Sequence, residues 1–203
     1  MSGHNGHGTY ELEYAFFGLQ VVVKAIRGDE LRGKLHKVIA EASSEQSLAD
    51  KRAFYKKLVG VLVDAMPVFE KGFWDYLADG AQEEFDGWCA EIEGSIATED
   101  EEVGRHADET HRLTTDQDFV IVSVMLLVER GSPSDDTLAA RCDLPEADYF
   151  TRQTFAHLLH TLPMLSFQNV QADAVYLLPG NEEDGFAFDD LIGEGYDYLK
   201  DLR

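Results

Sequence analysis

Cysteine is scarce in this sequence, which has only Cys89 and Cys142 among its 203 residues. The two lie in unrelated contexts, and neither belongs to a Cys-x-x-Cys pair. A disulfide framework needs more cysteines, and a thiolate zinc or redox site needs a closely spaced pair. One bridge between the two is an alternative, but two buried thiols in a reducing compartment fit the composition better.

Long hydrophobic runs are also missing. The clearest run, FVIVSVMLLV at 119–128, has about half of the roughly 20 residues that a membrane-spanning helix needs. The N-terminal MSGHNGHGTY has no basic patch followed by an apolar run, so we expect no secretory signal, and residues 1–9 are predicted to be a flexible tail. The sequence therefore predicts a cytoplasmic protein without membrane insertion.

Signatures of catalysis are absent as well. The sequence contains no Gly-x-Ser-x-Gly nucleophile motif, no Walker phosphate loop and no Gly-x-Gly-x-x-Gly dinucleotide motif. Carboxylates are so abundant that no single pair of them points to acid–base hydrolysis. We therefore expect no cofactor and no catalytic residue of these types.

Basic residues are few and unevenly placed. The chain has 17 Lys and Arg against 39 Asp and Glu, a net charge of -22. Residues 1–77 hold ten of each sign, so residues 78–203 carry the whole -22. Phosphate backbones and anionic membranes attract net basic surfaces, so direct nucleic-acid binding is not expected. The distribution favours a protein partner with a basic surface, or self-association of opposite charges, with solubility or salt adaptation as the alternative.

Dense apolar and β-branched runs predict three strands. Apolar residues at helical spacing predict helices within 29–43, 48–66, 81–97 and 187–203, and two helical pieces within 132–162. Residues 67–80, with Gly72 and Gly80, are expected to be irregular with short helical turns. The predicted strands lie in ELEYAFFGLQVVVKAI, TTDQDFVIVSVMLLVERG and the second half of MLSFQNVQADAVYLLPG.

This order predicts an α+β fold, a small mixed sheet of about three strands covered by helices. The connection between the last two strands is long enough for a crossover, which would make them parallel if they are neighbours. GLQVVVKAIRGDELRGKL and VIVSVMLLVERGSPSDDTLAARC share the order strand, glycine turn, acidic cap and helix, as an internal duplication would. We expect one domain over 10–203 with a polar linker at about 97–116.

Four stretches of the sequence resemble one family: GLQVVVKAIRGDELRGKL, WDYLADGAQEEF, DQDFVIVSVMLLVERG and LLHTLPMLSFQNVQADAVYLLPGNEEDGFAFDDL. They are similar to the opening strand and helix, the aromatic middle, the central strand and the closing strand of a domain-of-unknown-function family. That family includes the fluctuating-light-acclimation proteins of chloroplasts and their cyanobacterial and bacterial relatives. The resemblance spans roughly residues 12–200. It implies the fold and brings no catalytic residues.

Two sets of residues are candidates for an interaction surface. Aromatic side chains give a large contact area at low entropic cost, and one concentration of them surrounds Gly72 and Gly80. Basic residues on the outer faces of the first two helices are the second set. The aromatic candidates are Phe69, Phe73, Trp74, Tyr76, Phe85 and Trp88. The basic candidates are Lys34, Lys37, Lys56 and Lys57.

The stretch EDEEVGRHADETH, at 99–111, is the candidate metal site. On a helix Glu102, His106 and Glu109 would share a face, and Asp108 and His111 would form an i, i+3 pair of the kind used in di-iron bundles. Its neighbours are almost all polar, however, and such sites bury their ligands among apolar side chains. A solvated linker or polar helix is therefore favoured over a metal site built from Glu102, His106, Glu109 and His111.

Together these observations predict a non-catalytic protein–protein interaction or assembly module that binds through charge complementarity and an aromatic patch. Two alternatives stay open. One is a small metal-dependent or small-molecule enzyme that uses His106, Glu102, Glu109 or His157. The other is an acidic decoy that occupies a nucleic-acid-binding protein.

Overall fold

The computed structural model describes residues 12–203 except 27, 42–46, 106–117, 182–183 and 194; the side chains of 97–105 are also not described. Within these residues the chain forms one five-stranded sheet, whose strands are β1 (Tyr14–Lys24), β2 (Phe69–Leu77), β3 (Phe119–Glu129), β4 (Val170–Leu178) and β5 (Lys200–Asp201). Their order in the sheet is β4-β3-β1-β2-β5, and every neighbouring pair is antiparallel.

The two central strands, β1 and β3, are buried on both faces. They pair along their whole length, from Tyr14 opposite Glu129 to Lys24 opposite Phe119. Because successive side chains of a strand point to opposite faces, a continuous apolar run supplies a hydrophobic surface to each side. This explains why the two longest apolar runs of the sequence lie at the centre of the sheet.

Helices cover both faces of the sheet. Four helices pack on one face around residues such as Val21, Val122 and Val124, whereas the fifth packs on the other face with Phe16, Ile121 and Met125. The four-helix layer consists of α1 (Glu30–Ala40), α2 (Leu48–Ala65), α4 (Pro133–Cys142) and α5 (Arg152–Thr161), and the opposite layer contains α3 (Ala81–Arg105).

Eight of the described helices and strands form two halves with the same element order, and α3 and β5 lie outside both halves. Each half has a central strand of 11 residues, two helices on the same face, and an outer strand of 9 residues. A glycine of positive φ precedes the first helix of each half: Gly28 at 78° and Gly131 at 72°. Since β1 and β3 are antiparallel neighbours, a two-fold rotation about the sheet normal exchanges the strands of the two halves. The arrangement is the one expected from an internal duplication.

The predicted α+β class is confirmed, but the sheet has five strands rather than three and is antiparallel rather than mixed. The predicted parallel pair is wrong, because β3 and β4 are antiparallel neighbours. The physical reason is the number of helices between them. The two helices α4 and α5 run away from the C-terminal end of β3 and back to it, so β4 starts beside that end and runs antiparallel to β3. A single crossover helix would carry the chain to the N-terminal end of β3, and the next strand would be parallel.

Two segments differ from their predicted structure. Residues 69–77, expected to be irregular, form β2, and the expected closing helix is replaced by a single turn at Asp190–Ile192 and the short strand β5. Gly72 does not break β2; it makes room for the Phe155 ring, which lies 2.5 Å from where a Cβ would be. Gly195, with a φ of 102°, interrupts the expected closing helix.

Helix α3 reaches Arg105, so the first part of the expected linker at 97–116 is helical. The rest of that linker and the expected tail at 1–9 lie outside the described residues. Within the described ranges, no helix is both long and apolar enough to cross a membrane. Both cysteines are free thiols.

Gly72→Ala is expected to lower the free energy of unfolding by about 1–3 kcal/mol, because the added methyl group must displace the Phe155 ring. Gly87→Ala in α3 is the matched control, since nothing lies within 4 Å of a Cβ there. The control is expected to raise the free energy of unfolding by about 0.5–1 kcal/mol. Urea unfolding of the two variants measures both effects, and a stabilised Gly72→Ala protein would contradict the close approach of Phe155.

Candidate functional site

The six aromatic candidates are divided between the two faces of the sheet. Neighbouring residues of β2 point in opposite directions, so Phe73 faces α3 while Trp74 faces the four-helix layer. The α3 layer contains Phe73, Phe85 and Trp88, and the four-helix layer contains Phe69, Trp74 and Tyr76. The six aromatic candidates therefore do not form one patch, because three lie on each face of the sheet.

On the four-helix side the aromatic candidates contribute to the core. Phe69 is fully buried, and the Trp74 indole Nε1 donates a hydrogen bond of 2.8 Å to the carbonyl oxygen of Tyr149. The Tyr76 hydroxyl donates to the Asp135 carboxylate. Burial, followed by that hydrogen bond, raises the pKa of Tyr76 above its ordinary value. These contacts fasten β2 to α4 and to the segment that follows it.

The four lysine candidates are brought together by the structure. Lys34 and Lys37 on α1, with Lys56 and Lys57 on α2, line a groove of about 720 Å³ between the two helices. We call this cleft the α1–α2 groove. Its apolar lining residues are Leu31, Val38, Val61, Ala65, Pro67 and Val68.

The two ends of the α1–α2 groove carry opposite charge. The helices run in opposite directions, since Lys57 pairs with Glu41 at 2.7 Å while Asp64, further along α2, acts electrostatically on Lys34. One end therefore has three lysines and one glutamate, and the other has one lysine and three acids. The first group is Lys37, Lys56, Lys57 and Glu41; the second is Lys34, Asp29, Glu30 and Asp64.

A second cleft, of about 350 Å³, lies between α3, the sheet and the chain around residue 196. We call it the aromatic pocket. Phe73 and Trp88, two of the aromatic candidates, line it, whereas Phe85 is buried in the layer beside it. The lining also includes Gln20, Glu91, Ser95, Tyr196 and Tyr198.

The floor of the aromatic pocket contains a chain of hydrogen-bonded polar groups, of which Gln20 and Ser123 are buried and Tyr198 is half-buried. The Tyr198 hydroxyl donates to Gln20 Oε1 at 2.7 Å, and Gln20 Nε2 donates to Ser123 Oγ at 3.1 Å. Gln20 and Ser123 face each other across β1 and β3. Sequence reasoning missed both residues, although each is a polar residue inside an otherwise apolar central strand. That interruption is the signal that could have revealed them.

The predicted metal ligands His106, Glu109 and His111 lie outside the residues that the structure describes. Glu102 lies in α3, but its side chain is also outside the described part. The enzyme alternative that rests on them stays a prediction. Among the residues whose side chains are described, no group of three or more His, Cys, Asp or Glu is arranged to hold a metal ion.

The tyrosines predict an alkaline loss of stability. Burial, followed by the nearby carboxylate of Asp173 for Tyr55 and of Glu91 for Tyr198, raises the pKa of both phenols above the ordinary value. A raised folded-state pKa stabilises the fold fully below the unfolded pKa of about 10, and this contribution is lost as the pH rises toward the folded value. Urea unfolding across this range is expected to show a falling free energy, with phenolate absorbance of these residues appearing only on unfolding. Phenolate formation by all tyrosines of the folded protein near their ordinary pKa would contradict this expectation.

Comparisons of the chain with protein-family models, curated proteins and solved structures found no match. The resemblance to the family of the fluctuating-light-acclimation proteins therefore stays a prediction. The function has to be inferred from the two clefts themselves.

Proposed function

We propose that this chain is a protein-binding module whose α1–α2 groove takes an amphipathic segment of a partner protein. The observation that carries this proposal is a groove of about 720 Å³ with an apolar lining and opposite charges at its two ends. An amphipathic helix commonly docks by placing its apolar face into a groove between helices. Such a segment would cover Leu31, Val38 and Val61.

The charges define the chemistry and direction of the segment. An acidic residue of the segment would lie at the end with Lys37, Lys56 and Lys57, and a basic residue at the end with Asp29 and Asp64. A helical segment running with its C-terminus toward the lysines would also match its own macrodipole to both ends. Charge complementarity of this kind fixes orientation and excludes wrong partners more than it adds affinity.

Gly60 is a further feature of the groove lining. It lies inside α2, where glycine costs about 0.5–1 kcal/mol relative to alanine. A Cβ at this position would meet nothing within 4 Å, so the packing of the chain does not require glycine there. Gly60 lines the groove, and the missing side chain leaves room for an occupant.

The net charge of the chain outside the groove indicates the charge of the partner's surface around the docked segment. Residues 78–203 carry the whole net charge of -22, so a partner whose surface is basic around the docked segment is attracted at long range. We propose that such a partner associates faster at low salt, because exposed charges are screened over about 8–10 Å at physiological ionic strength.

Selection from a random peptide library displayed on phage tests the proposal without a known partner. The folded chain is the bait, and a Gly60→Trp variant is used for counter-selection because the indole fills the groove. Selected peptides are expected to have apolar residues at helical spacing, an acidic residue at one end and a basic residue at the other. Their affinity for Gly60→Trp is expected to fall on the order of tenfold or more, as for loss of a central contact.

Gly87→Trp is the matched control, because Gly87 is also an exposed helical glycine with free space around its Cβ. It should bind the selected peptides as the unmodified chain does. Peptides that bind Gly60→Trp and the unmodified chain equally, or selection that yields no such pattern, would contradict the proposal. A dimer that dissociates only in Gly60→Trp would identify a second copy of this chain as the occupant instead.

A further inference from the structure

The aromatic pocket lies on the face of the sheet opposite the α1–α2 groove and has a different chemistry. Its volume, about 350 Å³, is near the lower end of the range of roughly 300–1,000 Å³ that is usual for ligand pockets. A peptide segment does not fit such a volume, but a small molecule with few heavy atoms does.

Four of the ten described lining residues of the pocket are aromatic, and their rings stand at different angles. The Phe73 and Tyr198 rings stand nearly perpendicular, at 84° with centroids 5.5 Å apart, and the Phe73 and Trp88 rings are tilted by 37° at 6.0 Å. Tyr196 lines the same pocket. The negative potential of an aromatic face attracts a cation within about 6 Å of the ring centre, and several rings around one space form the cage that holds methylated ammonium groups.

The charge of the lining has one sign. Glu91 is its single charged residue, since the described lining contains no other acid and no Lys, Arg or His. Glu91 is solvent exposed, and its carboxylate lies close enough to the half-buried Tyr198 to add to the effect of burial in raising the pKa of that phenol. An anion would be repelled by this carboxylate, whereas a cation would be attracted by the carboxylate and by the rings.

The floor supplies polar groups beside the rings. Gln20 Nε2 has two hydrogens and gives one of them to Ser123 Oγ, and Ser95, which donates its hydroxyl hydrogen to the carbonyl of Glu91, keeps lone pairs on its oxygen. A ligand with a hydroxyl group next to its cationic group can therefore make hydrogen bonds in the same pocket. Gln20 and Ser95 thus give the pocket polar lining beside its aromatic rings.

We propose that the aromatic pocket is a binding site for a small organic cation of the quaternary ammonium class, with the ammonium group among Phe73, Trp88 and Tyr198 and its charge balanced by Glu91. This site is independent of the proposed protein-binding groove. A failure of one proposal leaves the other standing.

Nuclear magnetic resonance of the ¹⁵N-labelled chain tests this site directly. Its two tryptophans give two indole N–H signals, and only Trp88 lines the pocket. Choline chloride and 3,3-dimethyl-1-butanol are titrated into the protein in separate experiments. The alcohol has the shape of choline without the charge, and sodium chloride keeps the ionic strength equal in the two titrations. Choline is expected to shift the Trp88 signal and leave the Trp74 signal in place, with an affinity on the order of tenfold above that of the neutral alcohol.

Glu91→Gln should weaken choline binding several-fold and leave the affinity of the alcohol unchanged. Glu83→Gln is the control, because it removes the same charge from an exposed position of the same helix outside the pocket. Equal affinity for choline and the alcohol, a Trp88 signal that choline does not move, or equal weakening by both glutamate variants would each overturn the proposal.

Discussion

The burial of β1 and β3 on both faces is the constraint on which the rest of this structure depends. A buried aliphatic side chain contributes about 1.5–3 kcal/mol relative to an exposed one, so neither face of these strands can be left to water. The chain meets this requirement with four helices on one face and with α3 and the C-terminal segment on the other. The layers do not close completely, and the α1–α2 groove and the aromatic pocket are two of the openings that they leave.

The polar residues Gln20 and Ser123 inside the central strands are tolerated because hydrogen bonds satisfy their side chains. Burying an amide without hydrogen bonds costs about 1–3 kcal/mol in proteins. Gln20 avoids this cost through Ser123 and through Tyr198, which lies 178 residues away along the chain. The Tyr198 hydroxyl thereby ties the C-terminal segment to the middle of the sheet. The same contact shapes the floor of the aromatic pocket, so fold and site depend on one group of hydrogen bonds.

Features that depend on local periodicity could be predicted from the sequence. The central strands, the apolar stripes of α1 and α2, and the exposure of the lysines on their outer faces all follow from spacing along the chain. Features that depend on distant contacts could not. The role of Gly72 depends on Phe155, the partner of Gln20 is Tyr198, and the direction of β4 depends on how two helices return the chain. The aromatic candidates of β2 point to alternate faces of the sheet. This division was not predicted, because residues 67–80 were not expected to form a strand.

Native-state hydrogen exchange tests the doubly covered sheet most directly. The amides at the centre of the β1–β3 pair, for example those of Leu19, Val21, Val122 and Val124, are expected to exchange only when the whole domain unfolds. Their exchange should then show the same free energy and the same urea dependence as global unfolding. Exchange of these amides through an opening of lower free energy, with the rest of the domain still folded, would contradict the account, because one helical layer could then leave without unfolding the sheet.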